Sequence, residues 1–149
     1  MAIRLLEALF DPGAESNAFI AGRGDAGAAV TFTGIVRSRP DDPVSRLTLE
    51  CYPELAERQI GDMIAAATER FDLLDVTVIH RYGPMAPGEP IMQVMVLSAH
   101  RDAAFEGARM LMDYLKTDAP FWKKEETPEG ARWVEATAED DEARSRWEA

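Results

Sequence analysis

Apolar positions recur along this chain with two different spacings. Within residues 54–71, Ile60, Met63, Ile64, Ala67 and Phe71 return at helical intervals, which places them on one face of an α-helix. Residues 101–117 repeat the pattern with Ala104, Phe105, Ala108, Leu111, Met112 and Leu115, a stripe that predicts a second long amphipathic helix. Pro53 suits the opening turn of the first helix, where the N–H it lacks has no intrahelical partner. The remaining apolar runs are shorter. Their β-branched and aromatic residues predict strands over 28–36, 46–52, 74–82 and 91–99. The last of these is the most apolar and is expected to be central, buried on both faces. Residues 3–9 form a short run expected at a sheet edge, and 14–21 a brief helix after the turn signal Asp11-Pro12-Gly13. Residues 121–126 and 132–136 flank Thr127-Pro128-Glu129-Gly130 and predict a C-terminal hairpin.

Punctuation between these elements is also informative. Gly34, inside a β-rich run, predicts a bulge or a close backbone approach. Residues 37–45 and 83–90, rich in proline, read as loops. The sum is an α+β domain, residues 1–149, with two long helices on a mostly antiparallel or mixed sheet. Residues 139–149 are highly charged and are expected to fray or to form a short exposed helix.

Composition narrows the function. The chain carries 16 basic and 27 acidic residues, a net charge of -11, which argues against a general nucleic-acid binder. No run approaches the roughly 20 apolar residues that cross a bilayer, and the early acids argue against a signal peptide. The single cysteine, Cys51, excludes an internal disulfide framework and fits a reducing, cytoplasmic compartment; it reads as a buried inert thiol. Two histidines and one cysteine without ligand spacing predict no metal site.

Against this acidic background, residues 114–126 (YLKTDAPFWKKEE) gather Lys116, Lys123 and Lys124. Solvated lysines at a helix end explain the cluster equally well, since cations suit the macrodipole there. Lys116, however, ends the stripe of Phe105, Ala108 and Met112, where partial desolvation lowers an amine pKa and fits it for acid–base work. Strand alternation turns Lys123 toward Lys116 and leaves Lys124 less well placed. His100 and Arg101 begin a helix whose free N–H groups favour anions, and Arg37 adds a cation at a strand end. Packing and capping account for His100 as readily.

TFTGIVR (31–37), LTLECYP (47–53), VTVIHRYG (76–83), SAHRDAAFEGARMLMDYLKTDAPFWKKE (98–125) and TPEGARWVEA (127–136) closely resemble the large, catalytic subunit family of molybdopterin synthase. The likeness covers nearly the whole chain in order. It implies an α/β hammerhead-type fold and a central homodimer. Each subunit would bind one small ubiquitin-like sulfur carrier ending in a Gly-Gly thiocarboxylate, giving a heterotetramer. The implied reaction places two sulfurs on cyclic pyranopterin monophosphate, forming the dithiolene of molybdopterin without a cofactor.

By the same resemblance, Lys116 and Lys123 are the essential lysines, and Arg37, His100 and Arg101 the anion-binding residues. Ile35, Val36, Lys124 and Glu125 fall in substrate-lining segments, and Phe32 and Met112 in apolar positions near the pocket. Ile35 stands where many members are expected to carry a polar or basic residue, and the loop 38–45 is acidic. Two other readings stay open at this stage. One is a non-catalytic dimer that docks a ubiquitin-like tail; the other is an unrelated phosphate-ligand protein.

Overall fold

Two helices set the core. In the computed structural model, which describes residues 1–118, 120–135 and 137–148, α2 (Pro53–Phe71) opens on Pro53 and closes on Asp72. The left-handed φ of 55° at Asp72 lets its N–H reach the carbonyl of Thr68. α2 buries Ala56, Ile60, Met63, Ile64 and Ala67. α3 (Arg101–Thr117) matches the predicted span and buries Ala104, Gly107, Ala108, Met110, Leu111 and Leu115. A Cβ at Gly107 would lie 2.8 Å from the Leu73 Cδ1, so α3 approaches the segment after α2 more closely than a side chain permits. Phe105, expected within the buried stripe, is instead 59% exposed. The helix buries a face rotated toward Gly107 and Met110 and leaves Phe105 outside.

Both helices pack on the first of two four-stranded sheets, whose order is β1 (Ala2–Leu6), β4 (Asp75–Arg81), β6 (Pro90–Ser98) and β2 (Ala28–Ile35). β1 runs parallel to β4, and the other pairs are antiparallel. β6 is central, and Met92 to Ser98 are buried without a break, as a strand covered on both faces requires. α1 (Pro12–Ile20), capped by the Asp11 carboxylate, covers the side away from α2 and α3. There Gln93, fully buried, donates to the carbonyl of Pro12 and the hydroxyl of Ser16, each at 3.0 Å. The β2 register slips between Gly34 and Ile35, the bulge expected at that glycine.

The expectation of one sheet is corrected. β3 (Arg46–Cys51) and the C-terminal hairpin, β7 (Phe121–Thr127) and β8 (Gly130–Val134), build a second, wholly antiparallel sheet with β5 (Gly83–Met85) at its edge. β5 lies where a loop was expected: Gly83 at φ 88° turns the chain, and three residues suffice to pair with Leu47, Thr48 and Leu49. The final residue expected in the hairpin, Ala136, lies outside the described residues. The charged tail forms α4 (Ala138–Ser145), capped reciprocally by Thr137 and Asp140. Beyond it Trp147, 6% exposed, enters the core against Phe71, and its Nε1 donates to Asp113 at 2.7 Å. Among the described residues no helix is long and apolar enough to cross a membrane.

Candidate functional site

All three lysines of the chain fall between residues 116 and 124, and the fold separates them by face. Lys116 is exposed in the last turn of α3, and the chain re-enters a strand at Phe121. Alternation along β7 sends Phe121, Lys123 and Glu125 to one face and Trp122 and Lys124 to the other. The register confirms the sorting. Lys123 pairs with the buried Leu49 of β3 and with Val134 of β8, whereas Lys124 pairs with Thr48 and with the exposed Trp133. Lys123 is half-buried. Burial holds its pKa below the usual lysine range, and the charge of Lys116 lowers it further, against smaller opposing effects of Glu125 and Asp140.

Beneath the pair lies His80, which the sequence reading passed over. It continues the core-facing positions Val76 and Val78 of β4, sits opposite Met92 of β6, and is 6% exposed. Its ring lies flat on Phe121, with centroids 3.9 Å apart and planes 11° from parallel. Its Nδ1 is 2.9 Å from the carbonyl oxygen of Arg81. Burial, with a smaller push from Lys116, lowers its pKa to about 4, against the opposing bond to that carbonyl. The charge of Lys116 on α3 thus bears on both Lys123 of β7 and His80 of β4.

Glu125 lies on the Lys123 face and accepts from Arg132 at 3.1 Å. Arg132 also donates to both carboxylate oxygens of Asp42, at 3.1 and 3.0 Å. The acidic loop 38–45 is thus tied across β8, and its Val44 is buried. Sequence could not anticipate this fastening, because Asp42 and Arg132 are 90 positions apart. Lys124 is on the other side of the sheet, with its Nζ 5.7 Å from the Trp133 ring centroid.

The remaining expected residues divide between two ends of the molecule. Ile35 pairs with Pro90, where β6 begins, while Ala28 pairs with Ser98, where β6 ends. α3 starts three residues after Ser98 and packs back along β6 and β2, so its last turn returns toward Pro90. Phe32, Ile35, Val36 and Arg37 therefore stand at the lysine end with the half-buried Met112. Val36 is buried against Leu47, Leu49 and Met85, and Arg37 is exposed. His100 and Arg101, both exposed, cap and open α3 at the far end. Fifteen helical steps separate Arg101 from Lys116, about 22 Å. One chain alone does not join these two groups of cations, contrary to the single cradle that the sequence suggests.

Comparison with known proteins agrees with this architecture. The family model described as MoaE protein matches residues 6–118. The molybdopterin synthase catalytic subunit of Pseudomonas aeruginosa is 50% identical over 149 residues, 99% of each chain. The solved molybdopterin biosynthesis MoaE protein from Burkholderia ambifaria superposes with a TM-score of 0.83 at 42% identity, covering 100% of this chain and 99% of that one. A complex of subunits 1 and 2 of molybdopterin-converting factor from Helicobacter pylori contains the same fold, with a TM-score of 0.74 at 18% identity over 91% and 90% of the two chains.

Proposed function

The chain belongs to the MoaE family, that of molybdopterin synthase catalytic subunits, and from this premise we propose that it transfers two sulfurs to cyclic pyranopterin monophosphate to form the dithiolene of molybdopterin. The sulfur comes from the C-terminal thiocarboxylate of a small ubiquitin-like carrier, whose thin Gly-Gly end reaches the lysines in extended form. The Helicobacter pylori complex of two subunits supports a partner of this kind. The observation that carries the reading is that Lys116, exposed in the last turn of α3, comes near enough to the half-buried Lys123 of β7 for its charge to depress the pKa of the second amine.

Each side chain has a task that follows from its surroundings. Sulfur transfer develops negative charge on the acyl centre of the thiocarboxylate and on a departing phosphate oxygen. Preorganised ammonium groups stabilise such charge by a few kcal/mol. Lys116, the more exposed, acts nearest the acyl carbon. Lys123, desolvated and tuned downward, orients substrate and thiocarboxylate and exchanges protons more readily than a surface lysine. Arg37 holds the phosphate by charge-assisted hydrogen bonds, while Phe32 and Met112 supply apolar wall and Ile35 meets the substrate through its backbone.

His100 and Arg101 join from a second copy of the chain. Phe32 and Ile35 are 43% and 58% exposed on β2, the outermost strand of its sheet. Arg101, Phe105, Met112 and Lys116 follow one face of α3. A two-fold axis that sets two α3 helices antiparallel covers these apolar residues and lays the partner copy's Arg101 beside Lys116. The assembly is a homodimer flanked by two carriers, a heterotetramer that works in the cytoplasm, where the unpaired Cys51 stays reduced.

Purified protein given cyclic pyranopterin monophosphate and thiocarboxylated carrier tests the proposal. It requires molybdopterin to form with that carrier and not with its carboxylate form. Lys116→Ala with near-normal product formation overturns it.

A further inference from the structure

Resting on the reading that Arg37 holds the phosphate, we propose that Arg81 is a positioning residue for it. Its buried guanidinium fixes the turn 86–89 against Val36, and so sets the backbone that carries Arg37. The contacts form a short chain. Arg81 ends β4, and its side chain is only 4% exposed. Its Nη1 donates to the carbonyl of Pro90 at 3.0 Å and lies 3.6 Å from the Glu89 carboxylate. That carboxylate accepts from the Ala86 N–H at 2.8 Å, while the Glu89 N–H donates to the Ala86 carbonyl at 3.1 Å. Pro87 and Gly88 lie between them, and the φ of 87° at Gly88 is the left-handed conformation that a turn of this kind asks of its third residue. The turn then meets the chain just beyond β2. The Val36 N–H donates to the carbonyl of Glu89, and the Val36 carbonyl accepts from Gly88, each at 2.9 Å.

Stability does not account for an arginine at position 81. The cation is out of water, and its Nε is buried with no hydrogen-bond partner among the described residues. At 3.6 Å from the carboxylate, Nη1 makes an ion pair without a hydrogen bond. An apolar side chain of similar volume in place of such a charge is commonly neutral or stabilising. What the guanidinium does, and an apolar chain cannot, is hold two successive residues, Glu89 and Pro90. Pro90 is also the partner of Ile35 after the register slip at Gly34. A bulge interrupts the ladder, so the residues beyond it take their placement from the turn. Val36 is held there through both backbone groups and packs on Leu47, Leu49 and Met85. Arg37, the next residue, is exposed and inherits its position from Val36.

Arg81→Met keeps the length of the side chain and removes its charge and every donor. With thiocarboxylated carrier at saturation, the proposal expects the KM for the pterin to rise roughly fivefold or more in this variant, with kcat within about twofold of wild type. A mere loss of folded protein lowers the apparent kcat and leaves KM alone. Arg37→Ala raises the same KM, and adding Arg81→Met to it should raise KM no further, because the two residues act as one unit. An unchanged KM in folded Arg81→Met overturns the proposal, as does a double variant in which the two increases multiply. If Arg81→Met does not fold, Glu89→Ala decides, since it removes the carboxylate that braces the turn. The same rise in KM then supports the proposal and an unchanged KM overturns it. Amide hydrogen exchange, resolved by residue with NMR, reads the turn without substrate. In Arg81→Met the Val36 and Gly88 amides should exchange roughly tenfold faster or more relative to Val94 at the centre of β6, and equal protection overturns the proposal. Arg37→Ala with a wild-type KM defeats the phosphate assignment, while the exchange rates still report whether Arg81 holds the turn.

Discussion

Lys116, in the last turn of α3, stands close enough to Lys123, in β7, for its charge to lower the pKa of the second amine. Removing Lys116 therefore raises the Lys123 pKa toward the ordinary lysine value, because a like charge that disfavoured protonation is gone. Lys116→Ala should lower kcat by about a hundredfold and shift any rate limb governed by Lys123 to higher pH. Lys124→Ala, which alters only the opposite face of β7, should change kcat by less than about threefold. A pH–rate profile of the three proteins checks both statements.

The 22 Å or so between Arg101 and Lys116 along α3 makes the shared site testable by mixing variants. A Lys116→Ala chain and an Arg101→Ala chain, each inactive alone, are refolded together. If each site takes Lys116 from one copy and Arg101 from the other, every heterodimer holds one intact site. Random pairing then restores about a quarter of wild-type activity. If both residues act within one chain, mixing restores none.

His80 gives folding a specific acid dependence. Its folded pKa of about 4 lies below the ordinary 6.5. Above 6.5 both folded and unfolded chains leave it neutral, and below about 4 both protonate it. Between those values the unfolded chain binds the extra proton, so stability falls on acidification across that window by about 3 kcal/mol. His80→Phe should flatten this part of the profile. The carboxylates Asp25, Asp42 and Asp75, held below their ordinary 3.8 by hydrogen bonds and nearby cations, withdraw their own contribution only at lower pH. Urea denaturation between pH 4 and 7 separates the two.

The charged tail is anchored in the core by Trp147. Trp147 packs edge-on to Phe71, donates to Asp113, and accepts at its carbonyl from Arg70 at 3.0 Å. Trp147→Ala should cost about 3 kcal/mol, read as a lower denaturation midpoint, with loss of the α4 helical signal.

Much of this was legible in the residues. The α3 boundaries follow from an unbroken amphipathic stripe between His100 and Asp118, and the bulge at Gly34 from a glycine set among β-branched residues. Periodicity does not say which strands pair, so the second sheet stayed hidden, and β5, built on Gly83 and Pro84, looked like a loop. Lys123 could be paired with Lys116 because strand alternation and a helix end are local facts. The separation of Arg37 from His100 was not visible. It depends on β2 and α3 both running from the end where Ala28 meets Ser98 to the end where Ile35 meets Pro90. His80 escaped notice because a histidine in an apolar strand looks like core; its importance comes from Phe121, 41 positions away.

The confinement of every lysine to residues 116–124 has a practical side. Amine-directed coupling, whether to a sensor chip, a fluorophore or a cross-linker, falls on these three side chains, two of them at the candidate site, and on the N-terminus, which is itself ion-paired with Asp75 at 3.0 Å. Binding data gathered on amine-coupled protein will therefore include molecules held through Lys116 or Lys123, with the working surface against the support. Attachment through a genetically added tag avoids that artefact.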